Sequence, residues 1–535
     1  VNFPRWQFAG FSRGRDTIAY PRRSGMTATN PTVGFNYDDD YPGAEVPMQF
    51  SAYYDDQGNG LYFGYEEPHG LVKHYSLTAR NGNLQASWKT SVGYPADGVS
   101  PVPPTQCGAA VVELYQGGWY EAGQIYKRFV STRADWWVKE RPRRDTPKWF
   151  LENPIWFCAS SSLAAFEELR YLREYLELPI GVHLAWWYDF ESLNGNKHIP
   201  RGDFPKMMKM AKDADIHAFG YVNPRLWQFA PGAKGYTKGF WQGCSLAEKA
   251  VARSAAGEAE TENYGIPYPV ICPASPDGIK QRVDEYARLA KETGLSGLYL
   301  DQMACARERR CFSKEHGHWL NDPATWVRQG YWPLMEGAMA ESRKHNPDFA
   351  FDSEDASEVY LNHLDGFMVW RWTTENRLPL FQSVYGGRVQ FTGRAQDAHV
   401  GSGSGDWESY FQKIAEQLVY GEQIAQIHLN DIRYASPRRL FTKKLAHLRR
   451  ALASFMNEGD MLAPIKFSPE VAEHVSRWST GDGVISSIKL PEILSSAWGN
   501  PRTGCRLYIF VNPLNKTITV NPVIALQDGE QLYLC

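Results

Sequence analysis

The sequence has no closely spaced cysteine pair of the Cys-x-x-Cys kind. Its eight (Cys107, Cys158, Cys244, Cys272, Cys305, Cys311, Cys505 and Cys535) form no Cys-x-x-Cys, which argues against a zinc ribbon or a dithiol redox motif. Cys305 and Cys311 are near enough in sequence to bridge a loop, although free buried thiols explain them equally well. There is no apolar run approaching 18 residues, so no transmembrane helix is expected. Charge is not lopsided either. The formal net charge of −3 argues against nucleic acid or an anionic membrane as the main partner. A phosphate-binding P-loop, a dinucleotide fingerprint and a serine nucleophile elbow are all missing, and no cofactor is expected. The start at Val1-Asn-Phe-Pro carries no export leader. It reads as a beginning from which one has been lost, with a secreted or periplasmic location favoured over a cytoplasmic one.

Aromatic residues are what the sequence has in excess: 14%, with 19 Trp, 29 Tyr and 26 Phe. Large cores account for most of them. Trp and Tyr also line clefts for rings that have an apolar face and several hydroxyls, as sugars do.

At 535 residues the chain is too long for one core. Residues 1–145 read as an N-terminal β-sandwich, from short aromatic and β-branched segments such as Met48-Gln-Phe-Ser-Ala-Tyr-Tyr and Gly60-Leu-Tyr-Phe-Gly-Tyr with turn residues between them. The first forty residues show no clear strand. From Pro154 the pattern alternates strand and helix eight times, so residues 146–458 read as a (β/α)8 TIM barrel. Its strands begin at Ile155, Ile180 and His217, end at Asp301, and continue with Phe349–Asp355, Asp365–Trp372, a stretch within Phe381–Thr392, and Ala425–Leu429. Residues 459–535 read as a small C-terminal β-sandwich, with Arg506–Asn512 pairing with Lys516-Thr-Ile-Thr-Val.

Gly294-Leu-Ser-Gly-Leu-Tyr-Leu-Asp301-Gln302 is the organising stretch. A buried strand that stops on a carboxylate carries a desolvation cost, and in a barrel that end of the strand is where catalytic groups sit. Glu354 closes the next strand. Neighbouring strands lie about 4.8 Å apart, so the two carboxyls can be set at the separation of about 5–5.5 Å used by retaining glycosidases. Asp301 is assigned as nucleophile and Glu354 as acid/base. Asp352, on the same face as Glu354, competes for the second role. Further substrate contacts are expected from Trp186, Trp187 and Asp189 after strand two, Asn223, Arg225 and Trp227 after strand three, Gln302 after strand four, and Trp370 and Trp372 on strand six. For any one of these tryptophans packing between helices and barrel is the readier explanation, and it is the grouping of three clusters at strand exits that favours a site. His316 and His318 form a His-x-His pair. With no further ligand at an obvious spacing, they are assigned to substrate contact and no metal is expected.

Leu298-Tyr-Leu-Asp301-Gln302-Met, Cys311…His316-Gly-His318, Ser353-Glu354-Asp-Ala-Ser-Glu358-Val-Tyr, Tyr221-Val-Asn223-Pro-Arg225-Leu-Trp227, Asp365-Gly-Phe and Met48-Gln-Phe-Ser-Ala-Tyr-Tyr-Asp together resemble a bacterial family of uncharacterised glycoside-hydrolase-like proteins. The layout is more distantly similar to endo-α-N-acetylgalactosaminidases and α-galactosidase-like barrels. That resemblance implies an N-terminal β-sandwich packed on the barrel, a nucleophilic Asp ending strand four and an acid/base Glu ending strand five. The Lys-x-Asp signature of α-galactosidases is absent, since Tyr299-Leu300 precede Asp301. The expectation is a retaining α-glycosidase acting on galactose- or N-acetylgalactosamine-type glycosides. The alternatives are a non-catalytic carbohydrate-binding barrel and a metal-dependent hydrolase using His316 and His318.

Overall fold

The computed structural model describes residues 2–9, 16–100, 108–188, 197–227, 245–265, 267–369, 376–394, 407–433, 436–479, 485–526 and 531–533. Asp189, Trp370 and Trp372 fall outside them. None of the described helices is long and apolar enough to cross a membrane.

Two antiparallel sheets come first. One joins Asn2–Phe8, Asn83–Thr90, Lys73–Arg80 and Asn36–Tyr41, and the other Met26–Thr29, Thr17–Tyr20, Phe50–Tyr54, Asn59–Glu66 and Ala109–Gln116. Lys73–Arg80 alternates buried and half-buried residues, the signature of a sheet with one covered face. The covered faces meet through Tyr20 and Tyr37, whose ring centroids are 4.8 Å apart, and through Tyr75, whose hydroxyl donates to Ser51 Oγ at 2.9 Å. The first forty residues therefore do contain strands. Their Gly, Pro and Arg content hides them because strand formation depends more on cross-strand packing than on local propensity.

The eight-stranded parallel sheet follows: Ile155–Ser160, Ile180–Ala185, Ile216–Val222, Gly297–Leu300, Ala350–Glu354, Gly366–Val369, Gln390–Arg394 and Ile424–His428. First and last strands pair, and the Gln423 N–H donates to Phe391 O at 2.9 Å across the remaining seam. Gly297–Leu300 and Gly366–Val369 are buried at every position, as parallel strands covered on both faces must be. Helix Leu163–Leu176 buries Phe166, Leu169, Leu172 and Leu176, and Pro276–Glu292 starts where Ser275 Oγ accepts the Gly278 N–H at 3.3 Å. The stretch expected to hold strand seven opens instead on a short helix, Leu380–Tyr385, and the strand begins at Gln390. A short apolar run does not distinguish a buried strand from a buried helix turn.

Beyond the barrel lie a three-stranded sheet (Asp460–Met461, Leu494–Gly499, Arg506–Val511) and two strand pairs. Arg506–Val511 pairs with Leu494–Gly499, not with Lys516–Val520, which forms no strand. There Asn512 Nδ2 donates to Lys516 O at 2.8 Å and closes a turn.

Aromatic rings plug the barrel floor. Phe150, Trp156 and Phe219 have centroids 5.0–5.8 Å apart. Gly297 makes room for them: a Cβ there would stand 2.3 Å from Phe219 Cε1 and 2.4 Å from the Ala350 carbonyl oxygen. Gly297→Ala should lower stability by about 1–3 kcal/mol, as overpacking does. An unchanged urea midpoint would show that the floor yields freely.

Candidate active site

The pairing of Leu300 with Ser353 brings the next residues of the fourth and fifth barrel strands, Asp301 and Glu354, side by side at the C-terminal mouth. Burial, then the adjoining Glu354 carboxyl, hold Asp301 well above the ordinary carboxylate range. Two donors oppose that shift by stabilising charge on Asp301 Oδ2: the Tyr221 hydroxyl at 2.6 Å and Asn223 Nδ2 at 3.1 Å. Glu354 Oε2 accepts from the Gln302 backbone N–H and the Cys305 thiol, each at 3.3 Å. Burial, then the charge of Glu354, push that thiol well above its ordinary value and keep it a neutral donor.

Neighbouring loops fix these groups. Asn223 Oδ1 accepts the backbone N–H groups of Arg225 (2.9 Å) and Leu226 (2.8 Å), which turns the amide nitrogen towards Asp301. Gln302 adopts the left-handed region at φ 64°, accepts from Asn223 at 3.3 Å and donates to the Tyr264 hydroxyl at 2.6 Å. Asn223 and Gln302 thus lie beside the pair. Trp186, just after the second strand, is 64% exposed.

Other expected contacts sit elsewhere. Trp187 is fully buried, donates to Tyr221 O at 2.9 Å and packs on Tyr188, His198 and Phe204. Trp227 is buried in an apolar cluster with Ala247, Val251 and Ile271. Arg225 is fully buried, ion-paired with Glu262 and stacked over Trp326 at 5.2 Å, which makes it a brace between loops. Asp352 lies one pleat deeper and has no solvent exposure. Its Oδ2 accepts from His183 Nε2 (3.0 Å) and Thr392 Oγ1 (2.9 Å), while Gln426 donates to His183 Nδ1 at 2.7 Å. Burial raises the Asp352 pKa, and the contacts with His183 oppose the rise. It lies in the barrel core, below the Asp301–Glu354 pair. His316 and His318 gather with Cys272 and Cys311, and their ring nitrogens are spent there.

Sequence reasoning missed Tyr221, Cys305 and Tyr264. Tyr221 was accessible through alternation, since it lies two residues before Asn223 on the same strand face. Tyr264 comes from a long excursion and had no local signal.

Residues 105–396 match the family described as a domain of unknown function, DUF6259. Two relatives, each named "Putative glycoside hydrolase", come from Monosiga brevicollis and Bacteroides thetaiotaomicron. Each is 22% identical over 91% of this chain. The chain spans 45% of the first and 72% of the second. An α-N-acetylgalactosaminidase from Bifidobacterium bifidum superposes with a TM-score of 0.60 at 13% identity, over 94% of this chain and 82% of that one. A GH36 α-galactosidase from Geobacillus stearothermophilus does so with a TM-score of 0.58 at 12% identity, over 98% and 70%. At such identities the structural likeness is one of fold, that of an eight-stranded parallel barrel with flanking β-sheets. The family match covers more than half of the chain, which therefore belongs to the DUF6259 family.

Proposed function

We propose that this chain is a retaining glycoside hydrolase for α-linked galactose- or N-acetylgalactosamine-type sugars, with Asp301 as nucleophile and Glu354 as acid/base. One observation carries the reading: two carboxyls stand side by side on adjacent strand ends at the C-terminal mouth of the barrel, and their nearness adds to burial in holding Asp301 above the ordinary carboxylate range. A glycoside entering between them parts them towards the separation of about 5–5.5 Å that double displacement uses. The donors Tyr221 and Asn223 then favour the negative charge on Asp301, the form that attacks. Glu354 protonates the leaving oxygen as Asp301 attacks the anomeric carbon, and Glu354 next takes a proton from the water that releases the sugar. The α-galacto preference draws on what the similar folds are named for. Residues 1–145 and 459–535 flank the catalytic barrel in this reading.

A panel of aryl α- and β-glycosides, with NMR reading the first anomer released, tests the proposal. The expected result is α-glycoside cleavage with the α anomer first. Glycan binding with no hydrolysis of any panel member would instead make the chain a carbohydrate-binding barrel.

Tyr221 is a positioning residue here. Tyr221→Phe removes a donor that holds the Asp301 pKa down, so that pKa rises. The acid limb of the kcat/KM profile should move to higher pH by about one unit, with kcat down about tenfold. An unmoved limb would separate Tyr221 from the ionisation of Asp301.

A further inference from the structure

Cys272 precedes helix Pro276–Glu292, while Cys311, His316 and His318 lie in the loop after Asp301. All four are buried, and one ligand atom from each falls within 4.8 Å of the others. Cys311 Sγ lies 3.4 Å from His316 Nδ1, and Cys272 Sγ lies 3.5 Å from His318 Nε2. Tetrahedral zinc, with Zn–S of about 2.3 Å and Zn–N of about 2.0–2.1 Å, places sulfur and nitrogen ligands about 3.5 Å apart. The far ring nitrogens are engaged as metal-bound histidines require. His316 Nε2 is 2.8 Å from Lys249 O, and His318 Nδ1 is 2.6 Å from Trp319 O. Each carbonyl accepts a hydrogen bond from the ring N–H, which fixes the tautomer and leaves the opposite lone pair facing the two sulfurs. Gly317, at φ 76°, lets the chain reverse between the two histidines.

We propose that Cys272, Cys311, His316 and His318 form a structural zinc site that ties the loop after Asp301 to the segment entering helix Pro276–Glu292. Zinc binding replaces the two thiol protons, which pass to solvent. Four protein ligands fill the tetrahedron and leave no open position for water or substrate, which makes the role structural and not hydrolytic. The same loop is held on its other side by the N-terminal sheets. Arg307 Nη2 meets Asp39 Oδ2 at 2.8 Å, and Leu320 bridges to Tyr94. It carries Gln302 and Cys305, so zinc would stiffen the wall of the carboxylate site. The sequence hides this set because Cys272 comes from a different loop from the other three.

Metal analysis of the whole chain, purified under reducing conditions without chelator, should find one zinc per molecule. Cobalt(II) replacing it should show thiolate-to-metal charge transfer and the intense visible bands of a tetrahedral centre. His316→Ala and Cys272→Ser should weaken zinc retention by more than about 100-fold, while Asp301→Asn keeps its zinc. A strong chelator should lower the unfolding temperature of the wild type, and added zinc should restore it. The wild-type cobalt spectrum decides the matter even if the variants fail to fold. Reduced wild-type chain that retains no zinc after addition and desalting, or that gives no tetrahedral cobalt spectrum, overturns the proposal. So does a Cys272–Cys311 disulfide in the isolated protein.

Discussion

Asp301→Asn should lower kcat on an activated aryl α-glycoside by about 10³-fold or more, equivalent to about 4 kcal/mol of lost transition-state stabilisation. Asparagine keeps the shape and can still accept from Tyr221 and Asn223, but it forms no glycosyl ester. Glu354→Gln should cost about 10²–10⁴-fold, the usual contribution of general acid–base catalysis. Azide separates the two roles. In Asp301→Gly it should attack the anomeric carbon directly and give the inverted glycosyl azide. In Glu354→Gly an activated leaving group still departs, and azide should intercept the glycosyl-enzyme to give the retained product. Full activity in either variant would remove that residue from the mechanism.

Glu358 should be the largest single contributor to the seam between the N-terminal sheets and the barrel. It is fully buried and accepts from the hydroxyls of Tyr41 (2.8 Å), Tyr126 (2.7 Å) and Tyr385 (2.6 Å) and from Gln49 Nε2 (3.4 Å). Glu358→Ala leaves these donors without an acceptor in a dry site and should cost about 3–5 kcal/mol, read as a fall in the urea midpoint. Burial pushes the Glu358 carboxyl up to about 7, against about 4.3 when unfolded. The folded chain therefore binds this proton more tightly than the unfolded chain does. The stability it contributes is fully present below about pH 4.3 and is lost as pH rises through about 7. Glu358→Gln should flatten that slope relative to wild type. Identical pH dependence in the two chains would exclude a proton on Glu358.

The barrel was legible because its strands are short apolar runs separated by helices with 3.6-residue periodicity, a pattern strong enough to place Asp301 and Glu354 at neighbouring exits. The choice between Glu354 and Asp352 was open in the sequence, because alternation puts both on one face. Glu354 is favoured from the sequence because it lies nearer the strand's exit, and the fold adds that Asp352, a pleat below, has no solvent exposure. Trp187 and Trp227 read as ligand platforms because strand exits carry sites. The excursion and helix residues that bury them are remote in sequence. The Cys272 cluster and the Tyr264 contact also depend on long loops, where spacing carries no information. The N-terminal strands escaped for a related reason, since pairing with distant partners outweighs their own composition.

In the proposed mechanism Asp301 forms the bond to the sugar. The most direct measurement is peptide mapping after incubation with a 5-fluoro α-glycosyl fluoride of the sugar the chain accepts. One covalent sugar is expected, carried by the peptide that contains Asp301 and missing in Asp301→Asn. An adduct on Glu354 or Asp352, or turnover that releases the inverted anomer with no adduct at all, would contradict it.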